Sequence, residues 1–69
     1  MHRYEIIIYW SQDDNSYIAE VPELPGCMAD GKSYDEVIKN VQVIINEWIE
    51  TALESGREIP VAKGKLMFA

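Results

Sequence analysis

The sequence has one cysteine, Cys27, one histidine, His2, and six Lys/Arg residues against twelve Asp/Glu. A single cysteine excludes an internal disulfide framework, and without a Cys/His cluster it fits a reducing compartment, so a cytoplasmic location is expected. The shortage of basic residues leaves a net charge of −6. That balance disfavours direct nucleic-acid binding, which needs a basic footprint. It suits a basic partner, and it also keeps a small domain soluble. No apolar run is long enough to cross a bilayer. The opening "MHRYEIIIYW" has one short apolar stretch, interrupted by Glu5 and followed by no small-residue cleavage site, so no secretory signal is expected.

Length sets a further bound. A chain of 69 residues makes one compact domain and buries only about 60% of its unfolded surface. Self-association is a common support for so small a core, and a homo-oligomer, dimer or tetramer, is expected.

"RYEIIIYW" is β-branched and aromatic and predicts a first strand. Tyr4, Ile6, Ile8 and Trp10 fall on one apolar face, expected to be buried. Ile7 and Tyr9 share the other face with Arg3 and Glu5, which predicts partial exposure or an interface. "SQDDNS" is a polar loop of turn formers, and "YIAEV" alternates as a second strand, so the pair predicts an antiparallel hairpin.

Two of the three prolines and one of the four glycines then fall within "VPELPGC", Val21 to Cys27. Pro22 cannot donate to a ladder and ends the second strand or places it at an edge. Leu24-Pro25-Gly26-Cys27 fits a type II turn, with proline presetting the first central position and glycine supplying positive φ at the second. Leu24 is expected to pack back onto the core. The role assigned to Pro22, Pro25 and Gly26 is structural: a rigid corner that delivers a short third strand, "CMAD" ending at Gly31, and the helix beyond it.

Ser33 followed three residues later by Glu36 is the pattern of a capping box, and Asp35 and Glu36 suit the positive end of a helix dipole. Val37, Ile38, Val41, Ile44, Ile45, Trp48 and Ala52 form one apolar stripe at helical spacing. The prediction is a helix from Tyr34 to Ser55 with Gly56 as its C′ residue. Lys39, Asn40, Gln42, Glu47 and Glu50 face away from the stripe. Val43, Ile49 and Leu53 lie off its centre and suggest a second face that meets a partner. "KLMFA" predicts a last strand or a tail ordered on a partner. The fold class is α+β, in the order β-β-β-α-β.

Catalytic readings find little support. A two-metal nuclease needs several converging carboxylates. Glu5, Glu20, Asp30 and Glu36 also have ordinary roles on strand faces, in a turn and in a helix cap. His2 lies beside the terminus, where the fixed partners of a metal-bound or triad histidine are rare. Cys27 has no local basic partner to activate it and reads as a small buried apolar residue. Gly31-Lys32-Ser33 precedes a helix but lacks the upstream glycine of a phosphate loop. No catalytic residue, metal site or cofactor is expected.

Tyr17 to Glu50, "YIAEVPELPGCMADGKSYDEVIKNVQVIINEWIE", strongly resembles the HicB-like antitoxins: an aromatic-led strand, V-P-x-L-P-G-C, a short strand ending in glycine, then a Ser/Thr-initiated helix with an acid three residues on. Val37 departs from the alanine common after that acid. The resemblance implies a partial RNase H-like fold, with strand order 3-2-1-4 and the last strand parallel to the first. It also implies a protein that binds and neutralises HicA, a small basic mRNA-cleaving toxin with a double-stranded-RNA-binding-like fold. Many relatives carry a C-terminal DNA-binding domain, and residues 1–69 leave no room for one. One HicB-like domain without DNA binding is therefore expected.

The reading that follows is a non-enzymatic antitoxin-like protein. Its expected toxin contacts are Asp13, Asp14, Glu20 and Glu23, and its expected self-association surface is Ile7, Tyr9, Val43, Ile49 and Leu53. The alternatives are a stand-alone oligomeric module without a toxin, and a small metal-dependent nuclease.

Overall fold

The structure, a computed structural model, describes residues 3–62. Three strands, β1 (Ile7–Ser11), β2 (Ser16–Glu20) and β3 (Met28–Gly31), are followed by one helix, α1 (Tyr34–Glu54). The sheet is an antiparallel meander in the order β1-β2-β3. This α+β arrangement is the one expected from the chain's patterning. The last strand predicted over "KLMFA" lies outside the described residues, and so does His2.

Pairing runs from Ile7 with Glu20 to Ser11 with Ser16, and from Glu20 with Met28 to Tyr17 with Gly31. Because side chains alternate across a pleated sheet, Ile8, Trp10, Tyr17, Ala19 and Ala29 share one face. Ile7, Tyr9, Ile18, Glu20, Met28 and Asp30 share the other. α1 lies over β3 and β2 on the first face. The core holds Ala19, Val21, Leu24, Cys27, Val37, Val41, Ile45 and Ile49, with Tyr4, Ile6, Ile8 and Trp48 partly buried against it.

The helix shows why a stripe read at fixed spacing needs correction. Its buried line is Val37, Val41, Ile45, Ile49 and Ala52. Ile38, expected inside the stripe, is exposed, and Ile49, expected at an oligomer surface, is a core residue. Steps of four residues overshoot the 3.6-residue turn, so the buried line drifts around the helix until Ile49 is on its axis. The start is capped by Ser33, whose Oγ accepts from the Glu36 N–H at 3.1 Å. The returning bond differs from the usual box: Glu36 Oε2 accepts from the N–H of Lys32, at 3.0 Å, one residue before the cap. The end is a Schellman motif. Arg57 N–H donates to Ala52 O at 2.8 Å and Gly56 N–H to Leu53 O at 3.2 Å, with Gly56 at φ +71.

Gly31 answers a different demand. A Cβ at this position would sit 2.6 Å from Val37 N and 2.8 Å from Val37 Cα. The first turn of α1 can close onto β3 only over a bare backbone.

Candidate partner interface

The turn at Val21–Cys27 positions everything after β2. Leu24 N–H donates to Val21 O and Cys27 N–H donates to Leu24 O, both at 3.0 Å, so two turns run in succession. Gly26 sits at φ +79, as the second of these turns requires. Val21, Leu24 and Cys27, spaced by three, are each no more than 2% exposed. The indole N–H of Trp48 donates to Pro25 O at 2.9 Å and ties the corner to the helix. Burial pushes the Cys27 thiol above its ordinary value of 9.0, as for a neutral packing group rather than a nucleophile. These observations give the corner a structural role.

The open face of the sheet carries a mixed surface. Ile7, Tyr9 and Met28, 40–47% exposed, share this face with Ile18, which is 8% exposed. Glu20 and Asp30 border this apolar centre on the same face. The Tyr9 hydroxyl donates to Glu20 Oε1 at 3.3 Å. Desolvation, the Glu20 charge and hydrogen bond, and then the Asp14 charge raise the Tyr9 pKa.

The four acids expected to meet a toxin do not converge. Asp13 and Asp14 are exposed in the hairpin loop beyond the Ser11–Ser16 pair. Glu20 pairs with Ile7, four residues along the ladder, about 13 Å away at the usual strand rise. Glu23 belongs to the proline corner, where its Oε1 accepts from the Glu5 N–H at 3.2 Å at the entry to β1. Asp14 is also partly engaged, since its Oδ2 accepts from Ser11 Oγ at 3.0 Å and its N–H donates to Ser11 Oγ at 3.3 Å.

Of the residues expected to mediate self-association, Ile7 and Tyr9 lie together on the open sheet face. Val43 and Leu53 are exposed on the helix, at 56% and 65%. Ile49 is in the core. Val43 borders a groove with Met28, Ala29, Asp30, Asn40 and Ile44 along the side of β3 away from β2. There Asn40 Nδ2 donates to Asp30 O at 2.8 Å. That contact occupies an edge carbonyl which an added strand would otherwise use.

Two features lay outside the reading of the sequence. Met28 joins the apolar centre only because β3 pairs with β2 in this register. Trp10, expected in the core, is 49% exposed. α1 lies over β3 and β2, so the tip of β1 projects past the helix, and the Trp10 ring packs edge-to-face on Tyr17 at 5.1 Å instead. Alternation correctly gave Trp10 its face, but no local signal tells how much of that face the helix covers.

Among the described residues, no helix is long and apolar enough to cross a membrane. No group of three or more His, Cys, Asp and Glu residues among them is placed to hold a metal ion. Glu20 and Asp30 lie on the open sheet face, whereas Glu36 caps the helix, so the acids considered for a nuclease are spread over separate elements.

Comparison with known proteins places the whole arrangement. The family model described as HicB-like antitoxin of bacterial toxin-antitoxin system matches residues 4–66. A UPF0150 protein of Synechocystis sp. is 31% identical over 71 residues, covering 96% of each chain. A UPF0150 protein of Thermoplasma acidophilum is 34% identical over 58 residues, covering 84% of this chain and 83% of its own. Another, from Helicobacter pylori, is 34% identical over 64 residues, covering 84% and 89%. With a family match over nearly its entire length and relatives that align along most of theirs, the chain belongs to the HicB-like antitoxin family of bacterial toxin-antitoxin systems.

Proposed function

We propose that this protein is an antitoxin-like binding protein that neutralises a small, basic HicA-type mRNA-cleaving toxin by protein-protein contact. The observation that carries the reading is the open sheet face, where the exposed Ile7, Tyr9 and Met28 are bordered by Glu20 and Asp30. Apolar contact holds a complex and complementary charge speeds its formation, so a basic partner with an apolar patch fits this surface. The net charge of −6 supports the same partner class. Asp13 and Asp14 extend the acidic border to the hairpin tip.

The experiment begins with the neighbouring reading frame, provided that it encodes a short basic protein. That frame is induced alone and together with this chain, and growth and mRNA integrity are followed. Arrest with mRNA loss when it is induced alone, and rescue on co-expression, is the expected result. No arrest, or arrest without rescue, would remove the antitoxin reading.

A second reading uses the same face for self-association, which the joint exposure of Ile7, Tyr9 and Met28 favours. Salt separates the two. A two-fold pairing would bring Glu20 and Asp30 of both copies together, so added salt would strengthen it by screening like charges. Salt would weaken binding to a basic toxin.

A further inference from the structure

A row of three aromatic rings crosses the hairpin end of the molecule on the helix side of the sheet. Trp10 on β1 packs edge-to-face on Tyr17 of β2, with centroids 5.1 Å apart and rings inclined at 75°. Tyr17 in turn packs on Tyr34, the first residue of α1, at 4.4 Å and 32°. The outer two rings are 49% and 58% exposed. Each ring is fixed by its neighbour, so little side-chain freedom is left to lose on binding.

We propose that this row is a recognition site for an arginine side chain of a basic protein partner. Three observations support that choice. The first is charge. Asp13 lies three residues beyond Trp10 in the hairpin loop, and Asp35 follows Tyr34, both exposed. The positive end of the α1 dipole also lies here, but it is offset by Asp35 and Glu36, and Lys32 is held on Asn15 O and Ser16 Oγ, each at 3.1 Å. Exposed carboxylates that neighbour the two outer aromatics in the chain favour a cation and disfavour phosphate.

The second is a precedent within the same chain, where the Arg57 guanidinium sits over the Trp48 ring, 5.4 Å from its centroid. The third is supply. The chain has two arginines; Arg57 is taken by Trp48, and Arg3 precedes β1 at the end away from Trp10. An arginine stacked on Trp10 would therefore be a partner's. Arginine suits the site better than lysine because its planar, weakly hydrated group stacks on a ring while its N–H groups reach a carboxylate. This surface lies across the sheet from the open face considered above, and it shares with that reading the basic character of the partner and the hairpin acid Asp13.

The test uses the full chain and two peptides, hexaarginine and hexalysine, with NMR of the Trp10 indole and the Tyr17 and Tyr34 rings. Hexaarginine is expected to move these signals and to bind at least about threefold more tightly than hexalysine, the scale of an exposed cation–π contact. The Trp48 indole, already engaged by Pro25 and Arg57, is expected to stay in place. Trp10→Leu and, independently, Tyr34→Leu should abolish the preference, and Trp10→Phe should keep part of it. Equal binding of the two peptides with Trp10 unmoved would overturn the proposal. So would a preference that survives both leucine variants in folded protein, or a single-stranded oligothymidine that moves the same signals. Co-purification with the neighbour-encoded protein reports separately on the antitoxin reading. If that fails while the peptide preference stands, the aromatic site stands without it.

Discussion

The backbone N–H of Val21 donates to the carbonyl of Cys27 at 3.0 Å, closing a loop of seven residues on itself. The bond makes the two turns between them one rigid unit, with Leu24 fully buried beneath it. β3 therefore leaves the corner in a fixed direction, and the register that places Met28 opposite Glu20 follows from it.

The corner and the β3–α1 junction use glycine for different reasons, and substitution separates them. Gly26 has open space around it but sits at φ +79. Gly26→Ala should lower unfolding free energy by about 1–2 kcal/mol, and Gly26→Asn should recover part of that loss. At Gly31 the obstacle is the Val37 backbone. Gly31→Ala and Gly31→Asn should both destabilise, by about 1–3 kcal/mol or more, with no recovery by asparagine. Urea unfolding of the four variants measures the contrast, and rescue at Gly31 by asparagine would contradict it.

Removing the helix cap is expected to cost about 1 kcal/mol in Ser33→Ala. Glu36→Gln should be milder, because the amide oxygen can still accept from the Lys32 N–H. Circular dichroism melts of both variants should rank them in that order.

Alkaline pH tests the buried thiol. Cys27 has its pKa raised in the folded chain by burial. The folded protein thus holds the proton more tightly than the unfolded chain does, and stability from this group is complete below the ordinary thiol value and is lost as pH rises from there through the raised folded value. Tyr9, also raised, acts in the same direction from 10.0 upward. Wild-type stability should fall faster above pH 9 than that of Cys27→Ala, so that the gap between them narrows. A gap constant from pH 7 to pH 10 would show that the thiol does not ionise differently in the two states.

For the acidic hairpin, Asp13→Lys is the cleaner charge reversal. Asp14 also accepts from Ser11 Oγ, so Asp14→Lys disturbs the loop as well as its charge. Asp13→Lys should leave the melting temperature nearly unchanged, weaken toxin binding and flatten its dependence on salt. Affinity unchanged by the substitution, measured by calorimetry at two salt concentrations, would take Asp13 out of the interface.

Glu20→Gln probes the open face. It keeps an acceptor for the Tyr9 hydroxyl while removing one charge from the border of the apolar centre. If a basic toxin docks there, association should slow and dissociation change little. If a second copy docks there, the dimer should tighten, which light scattering detects.

The local chemistry of the chain determined its elements. Pro25-Gly26 wrote a turn, Ser33 and Glu36 wrote a helix start, and Gly56 wrote its end, because each acts on backbone groups within a few residues. The alternation of Tyr4 to Trp10 likewise assigned Ile7 to Trp10 to the correct faces, while Ser11, read as loop, closes β1 instead. What the sequence left open were distances between elements. Whether Trp10 is covered depends on where α1 lies across the sheet. Whether Ile49 is core or surface depends on the slow drift of the helical stripe against that sheet. Glu20 and Glu23 look like neighbours of equal standing in the chain, yet one borders an apolar face and the other caps the entry to β1. Asp13 and Asp14 lie at the far end of the hairpin from both. These outcomes rest on side-chain packing between segments far apart in sequence, and only the tertiary structure decided them.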